Sequence, residues 1–334
     1  MDFQRLCVLV LFSMLLFRGA AQESSAFTPH GRAFGVIFAN FHHGISEAAS
    51  DEAAFEIVRA YLGYEHQLSP EFSARINLDI GSPDDVSPYS KLRRYAYFKN
   101  AYVQYEKEAL EVQFGLISLL QYKLQEQIWE RRYLKKSFAD EFKLGSSADL
   151  GMMARYRFSP ALEADLTMMN GEGYSSLQMD NYFKYGAGVT LEFPEGWVNR
   201  VYFDYYNPGV CQTTLTWVSS FTWRKNLNLT AEYNSQDNSG FRKGRDLFGW
   251  SFYGKYNLTP KYQLFARYDI LRSNKVAGGE VPWHLSEDGS MLIAGVQFTP
   301  IKNIKIALDY QDWVPWAANL PTRSFIFVDM EVKL

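Results

Sequence analysis

The densest run of chemically capable side chains lies between residues 118 and 147, SLLQYKLQEQIWERRYLKKSFADEFKLGSS. Within it Arg131, Arg132, Lys135 and Lys136 crowd together beside Glu126 and Glu130. Cations at a narrow aqueous passage raise the local anion concentration and can replace water around an entering phosphate or carboxylate. The same run also reads as an exposed helical turn with Glu–Arg pairs a turn apart. A connection this long is functional or disordered, and its Leu, Ile, Trp and Phe content argues for order. Covalent chemistry has fewer candidates. The only histidines are His30, His42, His43, His66 and His284, and the adjacent pair His42-His43 would point to opposite faces of a strand. No phosphate-cradling glycine loop, CxxC or HExxH occurs. The reading is therefore a non-enzyme, with no catalytic residue, metal or cofactor.

Composition narrows the class. With 34 Lys+Arg against 37 Asp+Glu and a formal charge of −3, the chain lacks the cationic excess that holds a phosphate backbone, so no nucleic-acid partner is expected. A hydrophobic content of 47% with 16% aromatics excludes disorder. The N-terminus carries an apolar run from Leu6 to Phe17 followed by small residues at Gly19 and Ala21. That is too short to cross a bilayer and matches a secretory signal peptide over residues 1–21. Its removal takes Cys7 away and leaves Cys211 alone, so the mature fold must stand without an intrachain disulfide. A single domain over residues 22–334 follows.

The elements that must position the cationic run are strands. Phe72, Ala74, Ile76, Leu78 and Ile80 alternate with Ser73, Arg75, Asn77 and Asp79. The same dyad period recurs at 110–116, 183–193, 227–234 and 304–311. Seven short connections rich in Pro and Asn interleave with eight longer segments, about 43–53, 82–94, 118–147, 171–180, 207–211, 235–245, 272–287 and 313–322. The count gives sixteen strands with both termini on the short-turn side. Soluble sandwiches have no reason to keep every second connection short, whereas a transmembrane barrel does. The fold class is therefore all-β, a transmembrane antiparallel up-and-down β-barrel of about sixteen strands. Its third extracellular loop, 118–147, folds inward as a constriction.

Charges facing hydrocarbon cost roughly 2–4 kcal/mol each at mid-depth, so the apolar faces must meet lipid and the polar faces water. A sixteen-stranded barrel leaves an aqueous channel. Its predicted lumen carries the cations Arg59, Arg75, Arg155, Arg157, Lys184, Arg200, Lys255, Arg267 and Lys305. Against them stand Glu65, Asp79, Glu111, Asp165, Glu192, Asp204, Glu232, Asp269, Asp309, Asp329 and Glu331. Such mixed signs give no strong anion selectivity from the wall alone. Passive diffusion of small hydrophilic or anionic solutes across the outer membrane is the leading reading. The alternatives are a non-conducting barrel in a surface or secretion complex, and an outer-membrane hydrolase.

Between Phe114 and Tyr156 the sequence carries Phe114-Gly-Leu-Ile117, Glu126, Trp129-Glu-Arg-Arg132, Lys136-Ser-Phe138 and Ser147-Ala-Asp-Leu-Gly151, preceded by Arg59-Ala-Tyr-Leu-Gly-Tyr64 and Phe98-Lys-Asn-Ala-Tyr102. With these residues the chain resembles the phosphate-selective porin O/P family of Gram-negative outer membranes, in its Bacteroidetes-type form. The resemblance implies a sixteen-stranded homotrimeric channel with an arginine ladder and a basic constriction that favours anions such as phosphate.

Overall fold

The computed structural model describes residues 27–81, 95–274 and 287–334. The expected signal peptide, the second loop at 82–94, and most of the loop at 272–287, with His284, lie outside the described residues. The strands in chain order are β1 (His30–Gly44), β2 (Ala53–Gln67), β3 (Phe72–Gly81), β4 (Tyr95–Lys107), β5 (Leu110–Ser118), β6 (Ala148–Ser159), β7 (Leu162–Met169) and β8 (Lys184–Phe193). They continue as β9 (Trp197–Tyr206), β10 (Gln212–Trp223), β11 (Leu227–Asp237), β12 (Leu247–Asn257), β13 (Tyr262–Ser273), β14 (Gly289–Ile301), β15 (Ile304–Pro315) and β16 (Arg323–Lys333).

Each strand pairs antiparallel with its neighbours in sequence, and β1 pairs with β16 from Val36↔Lys333 to Gly44↔Phe325, closing the sheet. The Leu334 N–H, donating to the Gly35 carbonyl at 2.8 Å, prolongs this seam. Closure leaves no row of unpaired backbone donors and acceptors, the condition for a sheet to exist in lipid. Hairpin ends match the expected rhythm. Between β10 and β11, Arg224 and Lys225 both take positive φ, 46° and 61°, the backbone of a tight turn whose twist suits its strands. Between β8 and β9, Gly196 sits at φ 85°, where a Cβ would meet the Thr222 carbonyl oxygen at 2.8 Å.

Alternation sorts side chains as the sequence predicts, with apolar residues outside. On β3, Phe72 and Ile76 are 43% and 45% exposed while Asn77 and Asp79 are 4% and 0% exposed. This inverts a water-soluble barrel. Rings gather toward the short-turn end, where Phe72 packs on Tyr105, Tyr262 on Phe298 and Trp197 on Phe221. Such rings suit a lipid–water interface.

Alternation breaks where the register shifts. Phe38 pairs with Arg59 but Ala39 with Ile57, and Asn77 pairs with Asn100 but Leu78 with Phe98. Val58 and Lys99 are thus extra residues in β-bulges, which re-aim neighbouring side chains. Strict alternation, the sequence expectation, cannot anticipate them.

The outward face generates a test. Val201 lies mid-strand in β9 and is 48% exposed. Val201→Arg is expected to lower stability in bilayers by about 2–4 kcal/mol, measured by equilibrium denaturant unfolding in vesicles.

Candidate functional site

The segment between β5 and β6 contains two helices, α1 (Leu120–Trp129) and α2 (Phe138–Glu141). Helix α1 ends where Glu130 adopts a left-handed conformation, φ 59°, and its N–H donates to the Glu126 carbonyl at 2.8 Å, closing an orphan acceptor of the last turn. Gln121, Gln125 and Trp129 recur every four residues and are buried, so they share one face. That face docks on the inner wall. Arg200 Nε of β9 donates to Gln121 Oε1 at 2.9 Å, and Gln125 Nε2 donates to Glu232 Oε2 of β11 at 2.9 Å. The Trp129 ring packs edge-on against Tyr253 and Phe265. Further along, Tyr133 donates to Gln297 Oε1 at 3.0 Å, and Arg267 Nη1 donates to the Lys136 carbonyl at 2.6 Å. Gln236 donates to the Leu144 carbonyl at 2.7 Å, and Lys305 to the Glu130 carbonyl at 3.0 Å. The anchors run from β9 round to β15.

Open space lies on the opposite side of α1. A cavity of about 480 Å³ is bounded by the inner faces of β1–β5, with Lys305, Glu331 and Lys333 closing one flank. Phe34, Phe38, Tyr61, Arg75, Asn77, Lys99 and Tyr102 line the wall, and Lys123, Glu126, Gln127, Glu130 and Arg132 line the other side. Lys123, Gln127 and Glu130 are exposed there. The ammonium of Lys99, fixed by donating to Ser147 Oγ at 2.5 Å, lies 4.4 Å from the centre of the Tyr174 ring.

The cations singled out in the sequence do not converge on one point. Of the four in the loop, Arg132 lines the cavity, pairing with Glu126 at 2.9 Å and Asp140 at 3.2 Å. Arg131 turns into the wall, 1% exposed, donating to Gln263 of β13 and packing over the Phe265 ring. Lys135 pairs with Glu141 at 3.0 Å, and Lys136 contributes its carbonyl to Arg267. Of the wall arginines, Arg75 lines the cavity and pairs with Glu65 at 2.6 Å, while Arg59 pairs with Asp79 at 3.0 Å. Arg155 meets Glu111, and Arg157 stands 3.9 Å from Glu163 beside the β6–β7 turn. Arg200 grips Asp165 with two nitrogens, at 2.7 and 3.0 Å, and Arg267 pairs with Asp269 at 2.6 Å. Fixed carboxylates neutralise these arginines locally. Lys99 and Lys123 have no carboxylate in salt-bridge range among the described residues, and neither was among the sequence candidates. The bulge that aims Lys99 inward carries no signature in the sequence. Lys123 was legible only as part of a helix whose orientation was open.

The loop carboxylates report the field. Burial alone would push the Asp140 carboxyl above its ordinary pKa, but Arg132 beside it, with Lys99, more than offsets this and holds the carboxyl below its usual range. Glu141, equally buried, is held low by Lys135. Three of the histidines are engaged elsewhere. His30, His42 and His66 make ring-nitrogen contacts to the Thr28 carbonyl, Asn40 and Tyr64. Among the described residues no group of three or more His, Cys, Asp or Glu is arranged to hold a metal ion.

No family profile matches this sequence, and no curated protein matches it. Solved structures do match in fold. OmpF of Salmonella typhi, in complex with daunomycin, aligns over 91% of this chain and 97% of its own at 12% identity, with a TM-score of 0.68. The outer membrane channel DcaP of Acinetobacter baumannii aligns over 94% and 100% at 12% identity, TM-score 0.68. An anion-selective porin from Comamonas acidovorans aligns over 92% and 100% at 10% identity, TM-score 0.66. The chain has a porin-like fold. The likeness to the O/P family rests on the sequence stretches alone.

Two outcomes test the wall contacts. Arg200→Met leaves Asp165 buried without its partner and is expected to lower stability by about 3–5 kcal/mol, read as a lowered unfolding midpoint; adding Asp165→Asn should recover most of the loss. Because Asp140 is held low, its pairing contributes above the ordinary carboxylate range and is lost as pH falls through the depressed value. Protease protection of residues 119–147 should therefore weaken on acidification, and Arg132→Met should lower protection near neutral pH and flatten that dependence.

Proposed function

We propose that the chain is an outer-membrane porin, exported by residues 1–21, through which small hydrophilic solutes, anions among them, diffuse past a constriction formed by residues 119–147. The observation that carries this reading is the cavity between α1 and the β1–β5 wall, lined by charged and polar groups inside a sheet whose outer face is apolar. A wet, charge-lined space enclosed by an apolar surface is what a solute path through a bilayer requires. The structural likeness to a channel and an anion-selective porin supports the same class. On the resemblance to the O/P porins, the assembly is a homotrimer and inorganic phosphate is among its solutes; cross-linking in detergent counts the copies.

Within this channel Arg132 and Lys123 set the preference for anions, and Arg131 holds the loop to the wall. The test is current across a planar bilayer. Purified protein should give steady ohmic steps. Lys123→Glu with Arg132→Glu should lower the anion/cation permeability ratio roughly two- to fivefold, since a unit charge near 4 Å in water is worth about 1 kcal/mol. An unchanged reversal potential would remove these residues from selectivity, and absence of current from folded protein would remove the channel.

A further inference from the structure

We infer that the cavity beside α1 is a binding site for sugars bearing a carboxylate, an inference that rests on the channel reading and names the solute class for which the passage is built. Three independent features of the lining meet three parts of such a molecule.

The first is aromatic. Phe34, Phe38, Tyr61 and Tyr102 present rings to the cavity from β1, β2 and β4. Phe34 lies across Gly63, where a Cβ would come within 2.4 Å of its Cζ, so the wall keeps a glycine under the ring. A path for inorganic anions alone gains nothing from rings, whereas the C–H face of a pyranose finds in them an apolar, polarisable partner.

The second is a mixed set of polar side chains. Arg75 brings donors, and Asn77 and Gln113 bring amides that both donate and accept; all three residues line the cavity. Hydroxyls donate and accept at once. A polyol can therefore satisfy such a mixed set, which an ionised carboxylate, acceptor only, cannot.

The third is Lys99. Its ammonium is aimed by the β4 bulge, held by Ser147 Oγ and the Tyr174 ring, and has no carboxylate in salt-bridge range. A neutral sugar would leave this charge without a counterpart; a uronate supplies it through a charge-assisted hydrogen bond.

The experiment is single-channel recording on the full-length protein with glucuronate, glucose or acetate as probe. Glucuronate should produce concentration-dependent interruptions of current with dwell times roughly three- to tenfold longer than either glucose or acetate, a ratio in the range of one aromatic contact. Phe34→Leu should shorten those dwells, Phe34→Tyr should retain them, and Lys99→Met should make glucuronate and glucose indistinguishable. Steady open-channel current in each variant shows that it has folded and inserted. Current in which glucuronate interrupts no more than acetate overturns the sugar-acid site and leaves the channel standing. Dwells for glucose that equal those for glucuronate in the unmodified protein overturn the role of Lys99 and the carboxylate. Absence of current overturns both readings.

Discussion

Hydrocarbon offers a backbone no hydrogen bonds, and this one constraint organises the molecule. It forces the sheet to close, so β1 must find β16 across the whole length of the chain. It also forces charge inward. A closed sheet with its polar side chains turned to the axis faces the opposite difficulty, an interior crowded with ionised groups. The chain resolves it by pairing, as with Arg200 on Asp165 and Arg267 on Asp269. Paired groups of this kind shape the wall without creating a strong field of either sign.

Residues 119–147 exploit that wall. The face of α1 that meets it is mixed; Gln121 and Gln125 dock by hydrogen bonds to Arg200 and Glu232, while Trp129 and Tyr122 add large apolar contacts. Because the anchors lie on β9 to β15, the remaining space falls to the β1–β5 side. Position, not composition, decides which charges a solute would meet.

Much of the fold was legible in the sequence. Lipid tolerates few charges, so the alternation at 72–80 or 304–311 was written plainly, and the short-turn, long-loop rhythm gave sixteen strands. The inner face of Arg59, Arg75, Arg200 and Arg267 was likewise readable from period two. The site was less so. Four neighbouring cations, Arg131, Arg132, Lys135 and Lys136, suggested one cluster, but a helix end rotates successive residues by a large angle and sent Arg131 into the wall and Arg132 to the cavity. The docking face of α1 was hidden because glutamine carries no hydrophobic signal. Lys99 was hidden because a bulge, unlike a turn, leaves no mark in composition.

The proposed water path along the inner face of α1 can be probed directly by thiol accessibility, in a background where Cys211 is replaced by serine. Gln127→Cys faces the cavity and Val201→Cys faces outward from β9. A membrane-impermeant charged thiol reagent should modify position 127 rapidly and reduce the current, while position 201 in a bilayer stays unreacted. Protection at 127 together with reaction at 201 would contradict a wet interior and an apolar exterior, and with them the channel.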